Sequence, residues 1–233
     1  KRSANFHEAV KQGLSIIQRD YPQPPPAKVE KKNNGHISLE ERYHIRSLIR
    51  PIYLTEGRGL SLKTLESTAF KGRIFNAFHI NDNHGRIANI ALPKYGLDGN
   101  IKNYTLYNKP YRDRKDGKIK KFRLYLNERY EYLFVSNPDI EVEKVVCVES
   151  GFDAMAHHEL HGRPNVFYIS LSGHIDDKKL EQSLQWYNKV NRSHDLPLHL
   201  AFDHDIEGMR YDLVFLSYWL NRKSNKVFIE ADW

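Results

Sequence analysis

The chain of 233 residues holds a single cysteine, Cys147, which excludes an internal disulfide framework and a cysteine-rich zinc site within the chain. Cys147 reads as a small buried residue in a strand, and nothing indicates an oxidising compartment. No apolar run approaches membrane-spanning length, and no signal-peptide pattern opens the sequence. A cytoplasmic protein with no membrane partner is expected. Solenoid-type repeats are also absent. The length allows one large domain or two small ones, with a core that needs no covalent staple.

Charge is present, and it is unevenly placed. The net charge of +7 divides into 26 Lys/Arg against 13 Asp/Glu over residues 1–133 (+13), and 10 against 16 over residues 134–233 (−6). A basic half attracts a polyanion. An acidic half can concentrate carboxylates around a cation. The pairing suggests nucleic acid held by one part and metal chemistry carried out by the other.

Patterning divides the chain further. Phe6, Val10, Leu14 and Ile17 recur at helical spacing in residues 1–19, followed by a Pro- and Lys-rich linker over 20–36. The first helix is expected to be an appendage or the tail of a missing upstream domain. Residues 37–140 read as a smaller, basic α+β domain for nucleic-acid binding, with a mainly antiparallel sheet. In it, Ser38 and Glu41 form a capping-box pattern that predicts a helix to about Leu48, and Ser61 caps a second short helix over Leu60–Thr68. RIFNAFHI and RIANIAL flank the turn signal NDNHG, and KNYTLYN, FRLYL and YLFVS are expected to continue that sheet. Residues 141–233 alternate strands with helices: VVCVE, FDAMAHHEL, VFYISL, a helix over about Asp177–Val190, LHLAF, a helix over about Glu207–Asn221, and KVFIE. That alternation predicts an α/β unit with a parallel sheet flanked by helices.

In such sheets ligands sit beyond the carboxyl ends of the strands. Glu149 ends the first strand, Asp203 follows the third, Asp205 is two residues on, and Asp153 lies on the first turn of the next helix. Four carboxylates gathered at one edge repel unless a cation is present. Oxygen ligands without His or Cys favour a hard ion such as Mg²⁺ or Mn²⁺, and thereby phosphoryl transfer. Taken one at a time, these acids are better explained as helix N-terminal and turn residues; the pattern on two strand ends is what points to a metal.

The motifs carry a resemblance. VESGFDAMA and AFDHDIEGMRYD resemble the two Toprim motifs, and most nearly those of bacterial-type DNA primases, where they run Glu-Gly-aromatic-x-Asp and Asp-Gly-Asp-x-x-Gly. Here Ser150 and His204 stand where glycines are expected, and the first glycine is displaced to Gly151. PIYLTEGRGLSLKTLESTAF is similar to the segment that opens the primase catalytic core, so the resemblance covers most of residues 38–233. NFHEAV resembles the stretch after that family's zinc-binding domain, so zinc is implied only through an upstream domain. Primase-like Toprim proteins of plasmids and conjugative elements are similar too. The resemblance implies Mg²⁺ (or Mn²⁺) on Asp203 and Asp205, Glu149 as ligand or general acid/base, Asp153 in support, and acids near Glu230 and Asp232. It implies a nucleotidyltransferase that makes short primers on single-stranded DNA from nucleoside triphosphates, with a replicative helicase or mobilisation proteins as further partners. A Toprim nuclease and a non-catalytic DNA-binding Toprim module in mobilisation or recombination stay open.

The basic stretch 102–123 supplies Lys102, Lys109, Arg112, Arg114, Lys115, Lys118, Lys120, Lys121 and Arg123, interleaved with Tyr104, Tyr107, Tyr111 and Phe122. Cations neutralise phosphates and aromatic faces stack on unpaired bases, which suits single-stranded template. The same pattern fits a charged hairpin tip whose tyrosines pack the sheet. Arg58, Arg73 and Arg86 are further candidates for phosphate or nucleotide contacts. His157 and His161 have the i, i+4 spacing of zinc ligands, but with no third ligand evident they read as an exposed helix face.

Overall fold

The computed structural model describes residues 2–20, 41–82, 85, 87–126, 132–138, 141–162, 164–173, 175–191, 196–220, 222 and 227–230. Residues 21–40 of the expected linker and cap, Arg86 and Asp232 lie outside the described residues.

Five strands, β1 (Tyr43–Ser47), β2 (Phe75–His79), β3 (Asn89–Tyr95), β4 (Ile101–Arg112) and β5 (Ile119–Tyr125), form an antiparallel sheet in sequence order. Residues 43–47 were expected to be helical and are a strand instead. Tyr43 and Ile45 alternate onto one face and pack on Ala77, Ala91 and Leu106, while the backbone pairs with β2 from Tyr43↔His79 to Ser47↔Phe75. Ladder bonds to a distant strand override the local capping signal. Between β1 and β2 run the short helices α2 (Ile52–Arg58) and α3 (Leu62–Leu65). Gly59, in left-handed conformation at φ 70°, closes α2, and Ser61 Oγ accepts from Thr64 N at 3.2 Å to open α3, which explains the Arg-Gly-Leu-Ser run. The β4–β5 hairpin turns at Asp116–Gly117, as the sequence indicates.

The second sheet has the order β10-β9-β7-β8-β6, from β6 (Phe134–Val135), β7 (Lys144–Val148), β8 (Val166–Ser170), β9 (Leu198–Leu200) and β10 (Val227–Ile229). Four strands are parallel; β6 lies antiparallel on the β8 edge. β6 comes from YLFVS, which was expected in the first sheet. Next to it the Tyr95↔Leu133 bridge pairs with β3, and Phe134 packs in one core with Ile90 and Leu92, so this segment links the two sheets. Helix α4 (Gly151–His161) covers one face of the second sheet, while α5 (Asp177–Val190) and α6 (Ile206–Leu220) cover the other. Strand residues divide accordingly: Val145, Cys147, Phe167 and Ile169 join Trp186, Phe215 and Trp219, whereas Val146, Val148 and Tyr168 join Met155, Phe70 and Leu92. Each fully buried aliphatic or Phe side chain here contributes about 1.5–3 kcal/mol. Helix α1 (Arg2–Asp20) rests on α6, with Val10 buried and Gly13 close to Leu213. Among the described residues no helix is long and apolar enough to cross a membrane.

Candidate active site

Glu149 immediately follows β7, and α4 begins two residues later. Ser150, in extended conformation, is the N-cap: its hydroxyl accepts from Asp153 N at 3.3 Å, and Asp153 Oδ2 accepts from Ser150 N at 2.7 Å. A glycine there would lose this box, which accounts for Ser150. Gly151 starts the helix with no room for a side chain, since a Cβ would lie 2.8 Å from Leu92 and 3.1 Å from Phe134. The displaced glycine thus serves close packing of α4 on β3 and β6.

Asp203 and Asp205 lie between β9 and α6. Asp205 N donates to Asp203 O at 2.8 Å, and Asp205 Oδ1 accepts from Gly208 N at 2.8 Å. A Cβ on Gly208 would stand 1.8 Å from the Asp203 carbonyl oxygen, so the Asp-x-Asp turn can close only over glycine. Asp203 and Asp205 are exposed, Glu149 and Asp153 partly buried.

Glu149, Asp153 and Asp203 each feel acidic neighbours. Burial, followed by Asp203, Asp153 and Asp205, pushes Glu149 up to about 7, against a weaker opposing bond from the Asp203 backbone. Burial raises Asp153 while its bond to Ser150 pulls the other way; nearby Asp203 adds to the rise and Arg58 subtracts. Asp203 is raised by burial and then by Asp205. Glu149 Oε1 is buried with no hydrogen-bond partner. Their oxygens do not converge to within 4.8 Å as a set of three, a spacing that His157, His161 and Glu230 do reach.

A cationic wall meets this edge. Arg123 Nη2 donates to Ser172 O at 3.2 Å, in the loop after β8 where Ser172 has a positive φ of 56°. That loop also holds Glu149: Gly173 N and Ser170 Oγ donate to its carbonyl oxygen at 3.2 and 3.3 Å. Arg123 lies 5.6 Å over Tyr107, Tyr107 meets Phe152 edge-on at 4.6 Å, and Arg58 lies 4.5 Å over the Phe152 ring. Arg58 and Arg123 therefore flank the start of α4.

The other predicted contacts fall elsewhere. Arg73 lies over Tyr95 at 4.4 Å and donates to Asn137 at 3.4 Å. Lys109, Arg112, Arg114, Lys115, Lys118, Lys120 and Lys121 are exposed along the β4–β5 hairpin. Three of them are engaged locally: Lys109 with Glu56, Arg112 with Gly117 O, and Lys120 with Asp113 and Asp116. Of the interleaved aromatics, Tyr104 and Tyr107 are buried in the sheet, so they are packing residues rather than stacking platforms; Tyr111 stays 51% exposed.

The chain matches no family model and no curated protein. Among solved structures it is similar to a chain in a bacteriophage T7 complex, described as lagging-strand DNA polymerase interacting with primase domains of two gp4 subunits bound to an RNA/DNA hybrid and dTTP. The identity is 19%, the alignment covers 83% of each chain, and the TM-score is 0.47.

Two basic residues near the site escaped the sequence reading. Lys94 and Lys179 are 1% and 2% exposed. Burial lowers Lys94 to about 7, helped by Lys179 and Arg123, and burial lowers Lys179 to about 8, with Asp176 opposing. The available signal was a lysine within the apolar strand run Ala91–Leu92–Pro93 and another beside the apolar face of α5. The histidine pair also differs from expectation. His157 and His158 are buried and only His161 is exposed, because α4 turns that side onto β8 and β10 rather than into water. Glu230 is turned towards His157, His199 and Lys144.

Proposed function

We propose that this protein is a Toprim-type, metal-dependent nucleotidyltransferase that makes short primers on single-stranded DNA. The observation that carries the reading is Glu149, whose buried Oε1 has no hydrogen-bond partner, at an edge shared with Asp203 and Asp205 and flanked by Arg58 and Arg123. An oxygen-only, like-charged set with an unsatisfied buried oxygen fits a hard dication. Asp203, Asp205 and Glu149 are the residues that would hold Mg²⁺ or Mn²⁺, with Asp153 steadying α4 beside them. When bound, such a metal stabilises charge on the attacking and leaving oxygens of an in-line transfer.

The chain's own groups perform the rest. Glu149, at the strand end beside Asp203, is placed to accept the proton of a primer 3′-hydroxyl as that oxygen attacks the α-phosphorus and pyrophosphate leaves. Arg123 and Arg58 place positive charge beside the triphosphate, and the exposed hairpin cations with Tyr111 guide the template. A plasmid or conjugative-element setting is suggested by the sequence resemblance alone.

Template-directed synthesis from nucleoside triphosphates tests this directly. Wild type is expected to make short oligonucleotides with Mg²⁺ or Mn²⁺, and the Asp203→Ala/Asp205→Ala protein is not. Cleavage of labelled DNA by metal without nucleotides would replace the reading with a nuclease. No metal binding at millimolar concentration would leave a DNA-binding module.

A further inference from the structure

A second cluster of ligating side chains lies along α4, away from the carboxylate edge. Asp153, His157 and His161 follow one another at i, i+4 spacing, so His161 is about 12 Å along the helix axis from Asp153. The rings of His157 and His161 are 4.3 Å apart. Glu230, directly after β10, brings Oε2 to 2.7 Å from His157 Nε2, and the ligand atoms of His157, His161 and Glu230 all lie within 4.8 Å of one another. His199 Nδ1 on β9 is 2.6 Å from the other Glu230 oxygen, Oε1, outside that set of three.

We propose that this cluster is a Zn²⁺ site, held by His157, His161 and Glu230, with His199 orienting Glu230 through its other carboxylate oxygen. Ligand atoms about 2.0–2.1 Å from a tetrahedral zinc are separated by roughly 3.3 Å, so the present His157–Glu230 contact opens by about half an ångström to admit the ion. Imidazole and carboxylate together suit zinc rather than Mg²⁺. His157 is fully buried, and its other nitrogen, Nδ1, lies 3.0 Å from Tyr168 OH. A hydrogen bond on the far ring nitrogen fixes orientation at histidine–metal sites. Lys144 Nζ, 3.1 Å from Glu230 Oε1, is the competing cation and swings off the carboxylate when the ion enters. Glu159 is bonded to Ser61 N and Oγ at 2.9 and 2.8 Å, which takes it away from the histidines as a general base. An ion held there ties α4 to the edge strand β10, with a water completing four ligands.

The test is a Zn²⁺ titration of chelator-stripped full chain against a chromophoric competitor, with Co²⁺ absorption reporting coordination geometry. One zinc per chain and a four-coordinate Co²⁺ spectrum are expected. His161→Ala, at an exposed position, and Glu230→Gln should each weaken binding by at least about 100-fold, more than the loss of an outer-shell partner. Asp203→Ala/Asp205→Ala should leave binding unchanged, which separates this site from the proposed catalytic one. Absence of zinc binding at micromolar concentration overturns the proposal, as does binding unaffected by both His161→Ala and Glu230→Gln, or binding lost in the Asp203/Asp205 variant.

Discussion

Among the described residues the two sheets each have five strands, yet they carry their charge in opposite ways. In the antiparallel sheet the β4–β5 hairpin runs out past the core, and its cations lie along the strands, exposed from Lys109 to Arg123. In the second sheet both faces are covered by helices, so the strands are apolar and the acids collect only where strands end, at Glu149 and Asp203. An open sheet can spread charge over a surface that tracks a polymer. A sheet covered on both faces can offer charge only at an edge, which focuses it on a point. Binding and chemistry are thus expected to be separable by mutation.

The sharpest break is Asp203→Ala with Asp205→Ala. Nucleotidyl transfer should fall at least about 10³-fold. Single-stranded DNA affinity, read by fluorescence anisotropy, should stay within about twofold, and a parallel loss of affinity would dissolve the division. Gly208→Ala should come next. With a Cβ 1.8 Å from the Asp203 carbonyl oxygen, the turn must open, and thermal unfolding should show about 3 kcal/mol lost together with activity. Replacing Lys115, Lys118 and Lys121 by Ala should weaken single-stranded DNA binding and reduce the slope of log affinity against log salt by about 2. The rate at saturating template should persist.

The smallest effect concerns Glu149 without metal. Its folded value of about 7 exceeds the ordinary 4.5, so the folded state holds the proton more tightly. The stability this contributes is complete below pH 4.5 and is lost as pH rises through about 7. Glu149→Gln should therefore raise stability above pH 7, by about 1–2 kcal/mol after solvent screening. Asp212, pushed to about 7 by burial, titrates in the same window, so only the difference between wild-type and variant melting curves isolates Glu149. A variant no more stable than wild type at pH 8 would show that burial and the neighbouring acids do not disfavour the Glu149 charge.

How much of this was legible depended on distance along the chain. The span of α5, the Ser61 cap, the β2–β3 pairing and the strand-end acids are written in neighbouring residues, and the sequence shows them. Strand β1 was misread because a local cap signal pointed to helix while its partner lies at residues 75–79. Lys94 and Lys179 were missed because a buried lysine is recognisable only once β3 and α5 have folded around it. The histidines of α4 looked exposed until Glu230, 73 residues after His157, closed over them. His204 in the second motif exposes its side chain between the two aspartates, and no contact in the structure explains why histidine stands there.

Strand β6 has a practical consequence. Phe134 and Val135 occupy the β8 edge of the second sheet, pairing with Ser170 and Ile169. Expressing the acidic portion from residue 141 onward would strip that cover and leave a row of bare amides and carbonyls along an apolar strand. Such an edge recruits other chains. A fragment cut there should aggregate, whereas one beginning before Tyr132 would carry its own guard.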